Sequence, residues 1–358
     1  MKINTPKQIY NKSKWETLKN DFNFRVNADM NFVYGKGLSS GGSPIWSVIS
    51  DGVNIHHNVS NNNFWWKTSI KKNGQDFDIS QFPIISMAYG SLSTNVITQP
   101  VVIGISDGTY YYISNNSSIG FPYNQLNANI RTATPGVNTL SGNQIIWDGT
   151  KFCLFGNGFI ETCSKFDQFS DNQTSAKFEL VENAPVWNFE KGIFANGLYV
   201  AYINNNKLFE SSNVQGFSVS SDLETWSDIV SVPEINTTNG TKIYFTYSDG
   251  KYIAITSDGV KAESVDGENW SVNDEYIQSV NNVVALPDKT LSILAGTNDD
   301  KTIQYKAKGD DYFAEKVFNW QSSDVSQAIN PAYMTFDTEW NKLVLASVGA
   351  NGILTKSV

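Results

Sequence analysis

Short apolar runs, tight turns and a single aromatic residue recur together along the chain about every fifty residues. The clearest copy begins at Ile243, and its three alternating runs are separated by Asp249-Gly250 and Asp258-Gly259. Asp-Gly between alternating runs is the strongest short-range signal for a β-hairpin. A polar turn, Ser264 to Asn269, then leads into Trp270. Each copy therefore predicts four short antiparallel strands.

The aromatic residue after the third turn marks the period of the repeat. It falls at Trp66, Phe121, Phe169, Trp226, Trp270 and Phe313. Self-similarity at this spacing, with four strands in each unit, predicts the blades of a β-propeller.

The two ends of the chain complement each other. Trp15 opens a short strand-like run before the first repeat, whereas the last repeat stops at Val358 after its third strand. A strand from the N-terminus at about 13–20 would complete the last blade and hide the open edges. We therefore predict one all-β domain over 1–358, a seven-bladed propeller of four-stranded antiparallel blades. The predicted repeats are about 30–70, 83–125, 143–172, 187–230, 242–275, 281–318 and 332–358.

Two of the polar turns carry a recognisable motif, Ser264-x-Asp266-Gly267-x-x-Trp270 and Ser220-x-Asp222-x-x-Thr225-Trp226. They resemble the Asp-box, or BNR repeat, of sialidase-like β-propellers, whose pattern Ser-x-Asp-x-Gly-x-Thr-Trp is one residue longer. Two weaker copies use the residues Ser60, Asn62 and Trp66, and Ser114, Asn116 and Phe121. The resemblance implies a hairpin turn between the third and fourth strands, with the aromatic packed between blades. Its Ser and Asp side chains bind the turn amides, so these residues are structural.

Composition excludes several classes of function. The net charge is -9 and no basic stripe occurs, so we expect no nucleic-acid partner. The N-terminus has no apolar signal segment, and no run approaches the length of a membrane span, so we expect no membrane insertion. The chain would be made in a host cytoplasm without a signal peptide, which also suits a virion component.

Catalytic motifs are weak throughout the sequence. Sialidases hold their substrate with three arginines, and this chain has only Arg25 and Arg131, so sialidase chemistry is not expected. A glycosidase needs two carboxylates, and no spacing selects a pair from Asp76, Asp78, Asp167, Glu182 and Glu190.

Metal and disulfide chemistry are also not expected. His56 and His57 are neighbours on a predicted strand and point to opposite faces. Cys153 and Cys163 fall out of register on a predicted hairpin, so we expect two buried free thiols. We predict no metal site, no cofactor and a protein that is not an enzyme.

The resemblance places a ligand on the face opposite the boxes, where long connections join successive repeats. These connections are rich in amides and hydroxyls: Thr68 to Pro83, Pro122 to Asn143, Ser170 to Val186, Ile229 to Thr241 and Gln321 to Pro331. Aromatic residues stand at or near their ends: Phe82, Tyr123, Trp187 and Trp320. Amides with an aromatic face are typical of glycan binding; the alternative is that these aromatics fill the propeller core.

We therefore expect a non-catalytic phage virion protein, of the tail or fibre, that binds a host cell-surface glycan. The chain is similar in style to the propeller domains of phage receptor-binding proteins. Its expected partners are that glycan and other virion proteins, and a homo-oligomer is compatible with the sequence. Two alternatives stay open: a glycoside hydrolase acting on cell-wall polysaccharide, and a structural adaptor within a virion.

Overall fold

The computed structural model describes the backbone of the strands given below and of the turns between many of them. Side chains are described for residues 85–92, 103–104, 142–165, 178–205, 214–237, 240–272, 280–286, 291 and 293, although a few positions inside these ranges are excluded. The candidate residues Trp15, Ser60, Asn62, Phe82 and Trp320 lie outside the described residues.

Antiparallel strands in sequential order build the first half of the chain. After β1 (Glu16–Leu18), sheet 1 contains β2 (Asn31–Lys36), β3 (Ile45–Ser50), β4 (Ile55–Val59) and β5 (Trp66–Thr68). A hairpin of β6 (Ile70–Lys72) and β7 (Gln75–Phe77) follows. Sheet 2 contains β8 (Ser86–Ser93), β9 (Thr98–Ser106), β10 (Thr109–Asn116) and β11 (Phe121–Asn127).

Sheet 3 is interrupted by a second small hairpin. Its strands are β12 (Gly142–Trp147), β13 (Phe152–Gly156), β14 (Ile160–Cys163) and, after the hairpin of β15 (Phe166–Gln168) and β16 (Thr174–Ala176), β17 (Glu179–Leu180). Sheet 4 has three strands, β18 (Phe189–Ala195), β19 (Leu198–Asn204) and β20 (Gln215–Ser220).

Sheets 5, 6 and 7 have four strands each. Sheet 5 contains β21 (Ile243–Ser248), β22 (Lys251–Thr256), β23 (Lys261–Ser264) and β24 (Trp270–Asn273). Sheet 6 contains β25 (Val280–Ala285), β26 (Leu291–Thr297), β27 (Asp300–Lys306) and β28 (Phe313–Lys316). Sheet 7 contains β29 (Asn330–Asp337), β30 (Lys342–Val348) and β31 (Ile353–Ser357), and β1 pairs antiparallel with β31.

The first strand of each sheet lies against the first strand of the next. These contacts join β2 to β8, then β12, β18, β21, β25 and β29 in chain order, and β29 in turn contacts β2. Mostly β-structure with four-stranded antiparallel sheets was predicted, and the structure confirms it.

The aromatic marker predicted the start of the fourth strand well. Trp66, Phe121, Trp270 and Phe313 are the first residues of β5, β11, β24 and β28. Trp226 opens no regular strand, although Phe217 and Val230 exchange two backbone hydrogen bonds of 2.9 and 2.8 Å. An irregular segment therefore takes the place of a fourth strand in sheet 4.

Three predicted boundaries were wrong. The fourth strand of sheet 3 is β17, so the predicted repeat 143–172 ends before its own last strand, because the β15–β16 hairpin is inserted. The segment Thr68 to Pro83, predicted as a connection, contains β6 and β7. Strand β6 pairs in parallel with β11 at the edge of sheet 2. The supposed loop Pro122 to Asn143 likewise begins inside β11 and ends inside β12.

The core lies between neighbouring sheets rather than within them. Side chains alternate along each strand, so each described sheet buries one set of residues against each neighbour. Ile253 and Ile255 of β22 pack against Val283 and Ile293 of sheet 6. Ala254, between them, faces sheet 4 and packs in the cluster that contains Tyr202, Phe217 and Ala262.

In sheets 3, 4 and 5, where the side chains are described, the second strands are buried on both faces because they lie in the middle of the sheet. Every residue of β13 is buried, and so are Tyr252 to Thr256 in β22. Full burial of one large apolar side chain stabilises a fold by about 1.5–3 kcal/mol, so these strands contribute most of the stability per residue. The predicted buried thiols are confirmed: Cys153 and Cys163 are buried and not joined by a disulfide, with Cys153 opposite Thr162.

Tyrosines at the second position of two middle strands bind the preceding sheet. Tyr252 Oη donates a hydrogen bond of 2.5 Å to the Ala195 carbonyl at the end of β18. Tyr199 Oη donates to the Asp148 carboxylate, which also accepts the backbone N–H of Lys151 at 2.8 Å. Burial opposes the ionisation of Asp148, but the bonds from Tyr199 and from Lys151 outweigh it and lower its pKa. The tyrosine at the second position of the second strand thus forms a hydrogen bond to the preceding sheet in both sheet 4 and sheet 5.

A buried cation in sheet 5 is matched by a carboxylate two residues further along β23. Lys261 is fully buried, and its Nζ lies 2.5 Å from Glu263 Oε1, while Lys251 Nζ lies 2.8 Å from Oε2. Burial acts against the carboxylate, but the hydrogen bonds from Lys251 and Lys261 outweigh it and lower the pKa of Glu263 from 4.5 to about 2.

Replacing Tyr252 by Phe should lower the free energy of unfolding by about 1–2 kcal/mol, because the Ala195 carbonyl loses its donor. Urea denaturation followed by tryptophan fluorescence measures the change. Tyr247→Phe, on the ring that contacts Tyr252 at 4.9 Å, is the matched control and should leave stability nearly unchanged. Equal losses in both variants would show that the hydroxyl bond is not the cause.

Lowering the pH should reduce the free energy of unfolding, because Glu263 becomes protonated. Its pKa is lower in the folded chain than in the unfolded one, so its contribution is complete above pH 4.5 and is lost as the pH falls towards 2. Glu263→Gln should be less stable at pH 7, because Lys261 loses its countercharge, and should show a shallower loss between pH 4.5 and 2. Denaturant titrations across this range measure both effects. An unchanged slope in Glu263→Gln, with exposed Glu268→Gln as control, would contradict this origin.

Candidate functional site

Two polar turns have the same set of hydrogen bonds. Ser264 Oγ accepts the Gly267 N–H at 2.8 Å, and Asp266 Oδ1 accepts the N–H groups of Glu268 and Asn269 at 2.9 and 2.8 Å. Trp270 Nε1 closes the turn by donating to the Gly267 carbonyl at 2.7 Å. The Asp266 carboxylate is therefore a backbone acceptor within its own turn.

The turn in sheet 4 repeats these contacts. Ser220 Oγ accepts the Leu223 N–H at 2.8 Å, and Asp222 Oδ1 accepts the N–H groups of Glu224 and Thr225, each at 2.8 Å. Trp226 Nε1 donates to the Leu223 carbonyl at 2.8 Å. Both carboxyl groups have lowered pKa values, mainly through the Thr225 N–H at Asp222 and the Asn269 side chain at Asp266.

Left-handed backbone at one position completes both turns. Gly267 has a φ of +82°, and an added Cβ would meet Val219 at 2.6 Å, so glycine is required there. Leu223 has a φ of +74°, which is unusual for a branched side chain, and its side chain is fully buried. Burial of Leu223 therefore offsets its backbone strain.

Both tryptophans pack between sheets, as the motif implied. Trp270 stacks on Phe217 of sheet 4, with ring centres 3.9 Å apart and planes at 21°. Trp226 contacts Phe189 and Phe155, with ring centres 5.1 and 6.4 Å away.

The two weaker motif copies are described only by backbone. Trp66 pairs with His57 at the start of β5. Phe121 pairs with Asn116, and Ser114 lies two pairs further along, opposite Tyr123. In the well-matched turn of sheet 5, Ser264 itself pairs with Trp270. The register at Phe121 therefore differs from that at Trp270.

Of the four predicted ligand aromatics, Trp187 is the one whose side chain is described. Trp187 is half-buried, lies with its ring centre 6.0 Å from that of Phe189 and packs against the core between sheets 3 and 4. Tyr123 lies within β11, where only the backbone is described. Packing, the alternative weighed for these aromatics, accounts for the described contacts of Trp187.

Polar side chains gather instead where β18 begins and β19 ends. We define the amide cluster as Asn188, Glu190, Asn204, Asn205 and Thr237. Within it, Glu190 Oε2 accepts hydrogen bonds from Asn204 Nδ2 at 3.1 Å and from Thr237 Oγ1 at 2.8 Å.

Asparagines bind the rest of the amide cluster together. The Asn188 N–H donates to Asn205 Oδ1, and Asn188 Nδ2 donates to the Asn204 carbonyl, both at 2.9 Å. Asn143 of sheet 3 reaches across with its Nδ2, which donates to Asn188 Oδ1 at 2.8 Å. All cluster members except Glu190 are almost completely buried, so the half-buried Glu190 is the member that reaches solvent.

An interruption of the strand pairing recurs at the start of four first strands. The register shifts at Asn143 in β12, at Glu190 in β18, at Asn281 in β25 and at Ala332 in β29. Bulges redirect a side chain and are common at the rims of barrels and beside binding sites. Three of these four positions carry a polar residue, at the edge where connections enter from the preceding sheet.

The two edges of the sheets therefore differ in chemistry. We call the edge that carries the polar turns after β20 and β23 the turn face, and the edge where first strands begin the connection face. Glu190 lies at the start of β18, and Asn204 and Gln215 pair at the end of β19, so the amide cluster belongs to the connection face.

In the sequence, Glu190 is one of five candidate carboxylates that spacing does not distinguish. Glu182 is exposed, Asp76 and Asp167 lie in strands described only by backbone, and Asp78 lies outside the described residues. In the ranges with described side chains, no three His, Cys, Asp or Glu residues come together as a metal site would require. Within the same part of the chain, no helix is long and apolar enough to cross a membrane.

The fold can now be compared with known proteins. The sequence matches no protein-family model and no curated protein. The structure is similar to YCF48 from Cyanidioschyzon merolae, with a TM-score of 0.56, 9% identity, and 96% of this chain and 98% of that one covered. It is also similar to the WD40 β-propeller domain of Doa1, with a TM-score of 0.50, 10% identity, and coverage of 96% and 97%.

An enzyme belongs to the same set of similar structures. Virginiamycin B lyase from Staphylococcus aureus has a TM-score of 0.55 and 9% identity, with 97% of this chain and all of that chain covered. At these identities the likeness defines the fold alone: the chain has a β-propeller fold.

Removing the turn carboxylate should destabilise the chain without altering the connection face. Asp266→Ala should cost about 0.5–1.5 kcal/mol of unfolding free energy, because the exposed N–H groups of Glu268 and Asn269 lose the acceptor that fixes the turn. Asp266→Asn, which keeps the side-chain acceptor, should cost less than half as much. Thermal and urea unfolding measure these losses, with Glu268→Ala in the same turn as the control. Equal stability of Asp266→Ala and the parent chain would refute the role.

Proposed function

We propose that the chain is a seven-bladed Asp-box β-propeller whose last blade is completed by its N-terminal strand. The cyclic contacts of the seven first strands and the pairing of β1 with β31 support the blade count. The shared hydrogen bonds of the Ser264 and Ser220 turns support the Asp-box assignment.

We further propose that this propeller is a non-catalytic binding protein for a host cell-surface glycan and a component of a phage tail or fibre. The amide cluster is the observation that carries the glycan proposal. Its amide and carboxylate groups are held in place by mutual hydrogen bonds, and Glu190 is partly exposed. Rigid polar groups at a rim bind hydroxyl-rich ligands without a large entropic cost.

A binding role fits this cluster better than hydrolysis. Glycoside hydrolysis requires a pair of carboxylates, and Glu190 is the only carboxylate of the amide cluster. Both Asn204 and Thr237 donate to the same oxygen of Glu190, which favours a fixed acceptor over a group that must exchange a proton.

The virion assignment rests on composition. The chain has 17% charged residues and is rich in Asn, Ser and Thr, which is similar in style to the propeller domains of phage receptor-binding proteins, and the net charge of -9 limits association with nucleic acid. Mass spectrometry of purified phage particles from the source of the sequence tests this assignment. Detection in the particle at stoichiometric amounts is expected, and absence from the particle rejects it.

Incubation with a panel of bacterial cell-wall polysaccharides tests the binding function. We expect the full chain to be retained on at least one polysaccharide without the release of reducing ends. Thr237→Val, which removes the hydroxyl that bonds Glu190, should reduce retention about fivefold or more. Thr225→Val, an exposed threonine on the turn face, is the matched control and should bind like the parent.

Each other outcome points to one alternative. Release of reducing ends would identify a glycoside hydrolase, and the non-catalytic proposal would fail. Absence of retention on every polysaccharide would favour the structural adaptor. Equal loss in Thr237→Val and Thr225→Val would move the binding site away from the amide cluster.

A further inference from the structure

Three aliphatic side chains are exposed on the connection face of sheets 3 and 4. Leu180 ends β17 and is 56% exposed, Val186 precedes β18 and is 47% exposed, and Val214 precedes β20 and is 46% exposed. Single exposed aliphatic residues are common on protein surfaces, whereas contiguous groups are typical of interaction sites. The meaning of these three side chains therefore depends on whether their segments lie together.

A tight turn brings the first two side chains together. The Ala184 N–H donates to the Val181 carbonyl at 3.2 Å, so the chain turns between Leu180 and Val186. Glu182 lies in this turn, is exposed, and forms no ion pair with the described part of the chain. Its carboxylate is therefore a free negative charge beside the two aliphatic side chains.

Two asparagines join the second side chain to the third. Asn188, which follows Val186 after one residue, donates its N–H to Asn205 Oδ1 at 2.9 Å. The Asn205 N–H in turn donates to the Val214 carbonyl at 3.0 Å. Val186 and Val214 therefore stand on neighbouring segments.

A second tight turn follows sheet 4. The Ile235 N–H donates to the Val232 carbonyl at 2.9 Å, and the turn between them exposes Pro233 and Glu234. Like the first turn, this one carries a glutamate that forms no ion pair with any residue whose side chain is described.

Tyr202 places the second turn beside Val214. Its Oη lies 3.1 Å from the Ile235 carbonyl oxygen and 2.8 Å from Oε1 of Gln215, the residue after Val214. We define the aliphatic patch as Leu180, Val186, Val214 and Pro233. A turn with an exposed glutamate therefore borders the patch at each end.

The exposed charges of this part of the chain are all negative. Among the described residues of 178–205 and 214–237, they belong to Glu179, Glu182, Asp222, Glu224, Asp228 and Glu234. Carboxylates at the border of an apolar surface attract a cationic partner, and like charges placed across an interface oppose association. A second copy of the chain would bring the same carboxylates to the patch, so the charges favour a different, basic partner.

We infer that the aliphatic patch is a docking surface for another protein, and that the segment it binds has apolar residues flanked by lysine or arginine. The apolar residues of that segment cover Leu180, Val186 and Val214, and its cations pair with Glu182 and Glu234 at the two ends. The patch contains no member of the amide cluster, so the inference goes beyond the proposed glycan binding.

Synthetic peptides test the inference. The first peptide has leucine and valine at its centre and lysines at both ends; the second has glutamates in place of the lysines, and the third has serines in place of the central residues. Binding of each labelled peptide to the full chain is measured by fluorescence anisotropy at physiological salt. We expect the second and third peptides to bind about tenfold more weakly than the first, or weaker still, because one is repelled and the other lacks the apolar contact.

A double variant, Leu180→Ser with Val186→Ser, locates the apolar contact. Both side chains are exposed, so the variant should fold, and urea denaturation checks that it does. We expect about tenfold weaker binding of the lysine peptide, because the central contact is lost. Val265→Ser replaces a valine that is 62% exposed on the turn face, and this control should bind the peptide like the parent chain.

Glu182→Lys tests the charge at the border. We expect about fivefold weaker binding of the lysine peptide and a gain of similar size for the glutamate peptide. Glu268→Lys, which makes the same change at an exposed glutamate of the turn face, should alter neither affinity by as much.

Several results would overturn the inference. Absence of binding of the lysine peptide, equal binding of the lysine and glutamate peptides, or full binding by the double serine variant would each reject the docking surface. Equal losses in Glu182→Lys and Glu268→Lys would show that the net charge of -9 alone attracts the peptide. Dimers in sedimentation velocity that dissociate in the double serine variant would identify a second copy as the occupant. None of these results changes the polysaccharide test with Thr237→Val, so the two proposals fail separately.

Discussion

Coverage of the middle strands on both faces, seen in the described sheets 3, 4 and 5, is the constraint from which the rest of the structure follows. The middle strands are apolar on both sides, as β13 and residues Tyr252 to Thr256 of β22 show. A single sheet of this kind would expose a large apolar surface to water, so it is stable only between two neighbours. Side-by-side packing of successive sheets satisfies this requirement, and no separate central core is needed. Apolar packing is non-directional. The hydrogen bonds from Tyr199 and Tyr252 to the preceding sheet add a directional contact between sheets.

The polar turns solve a second problem, which arises at the edge of each sheet. A tight turn between the third and fourth strands leaves N–H groups without partners, and Asp222 and Asp266 accept them. The same turns direct Trp226 and Trp270 into the space between sheets. The same short motif thus fixes the geometry of a turn and places a tryptophan against residues that are distant in the sequence. Leu223 shows that this coupling tolerates backbone strain, since its burial supports a φ that glycine adopts more easily.

Local signals explain what the sequence could predict. Asp-Gly turns and the aromatic marker located the strands of sheet 5 and the starts of β5, β11, β24 and β28, because each signal acts within a few residues. Asn73-Gly74 is an equally local hairpin signal, and the long-loop interpretation of Thr68 to Pro83 overlooked it. The β15–β16 insertion was missed for a different reason: Phe169 matched the expected spacing, and only pairing between β14 and β17 identifies the true fourth strand.

The candidate site could not be read from the sequence because its members are separated along the chain. Asn143 and Asn204 come from sheets 3 and 4, and Asn188 and Thr237 come from the connections before and after sheet 4. Hydrogen bonds between these segments bring them together. Each asparagine alone is indistinguishable from the many others in the loops. The position of Glu190 follows from a bulge, and a bulge has no reliable sequence signature when no glycine marks it.

The carboxylates of the turn face and of the connection face differ in the groups that hold them. On the turn face, Asp222 and Asp266 accept hydrogen bonds from backbone amides of their own hairpins, so these carboxylates stabilise the fold. On the connection face, Glu190 is held by side chains, and side chains from neighbouring segments can vary without unfolding a hairpin. A propeller can therefore change its ligand by changing the connection face, while the turn face keeps each sheet closed.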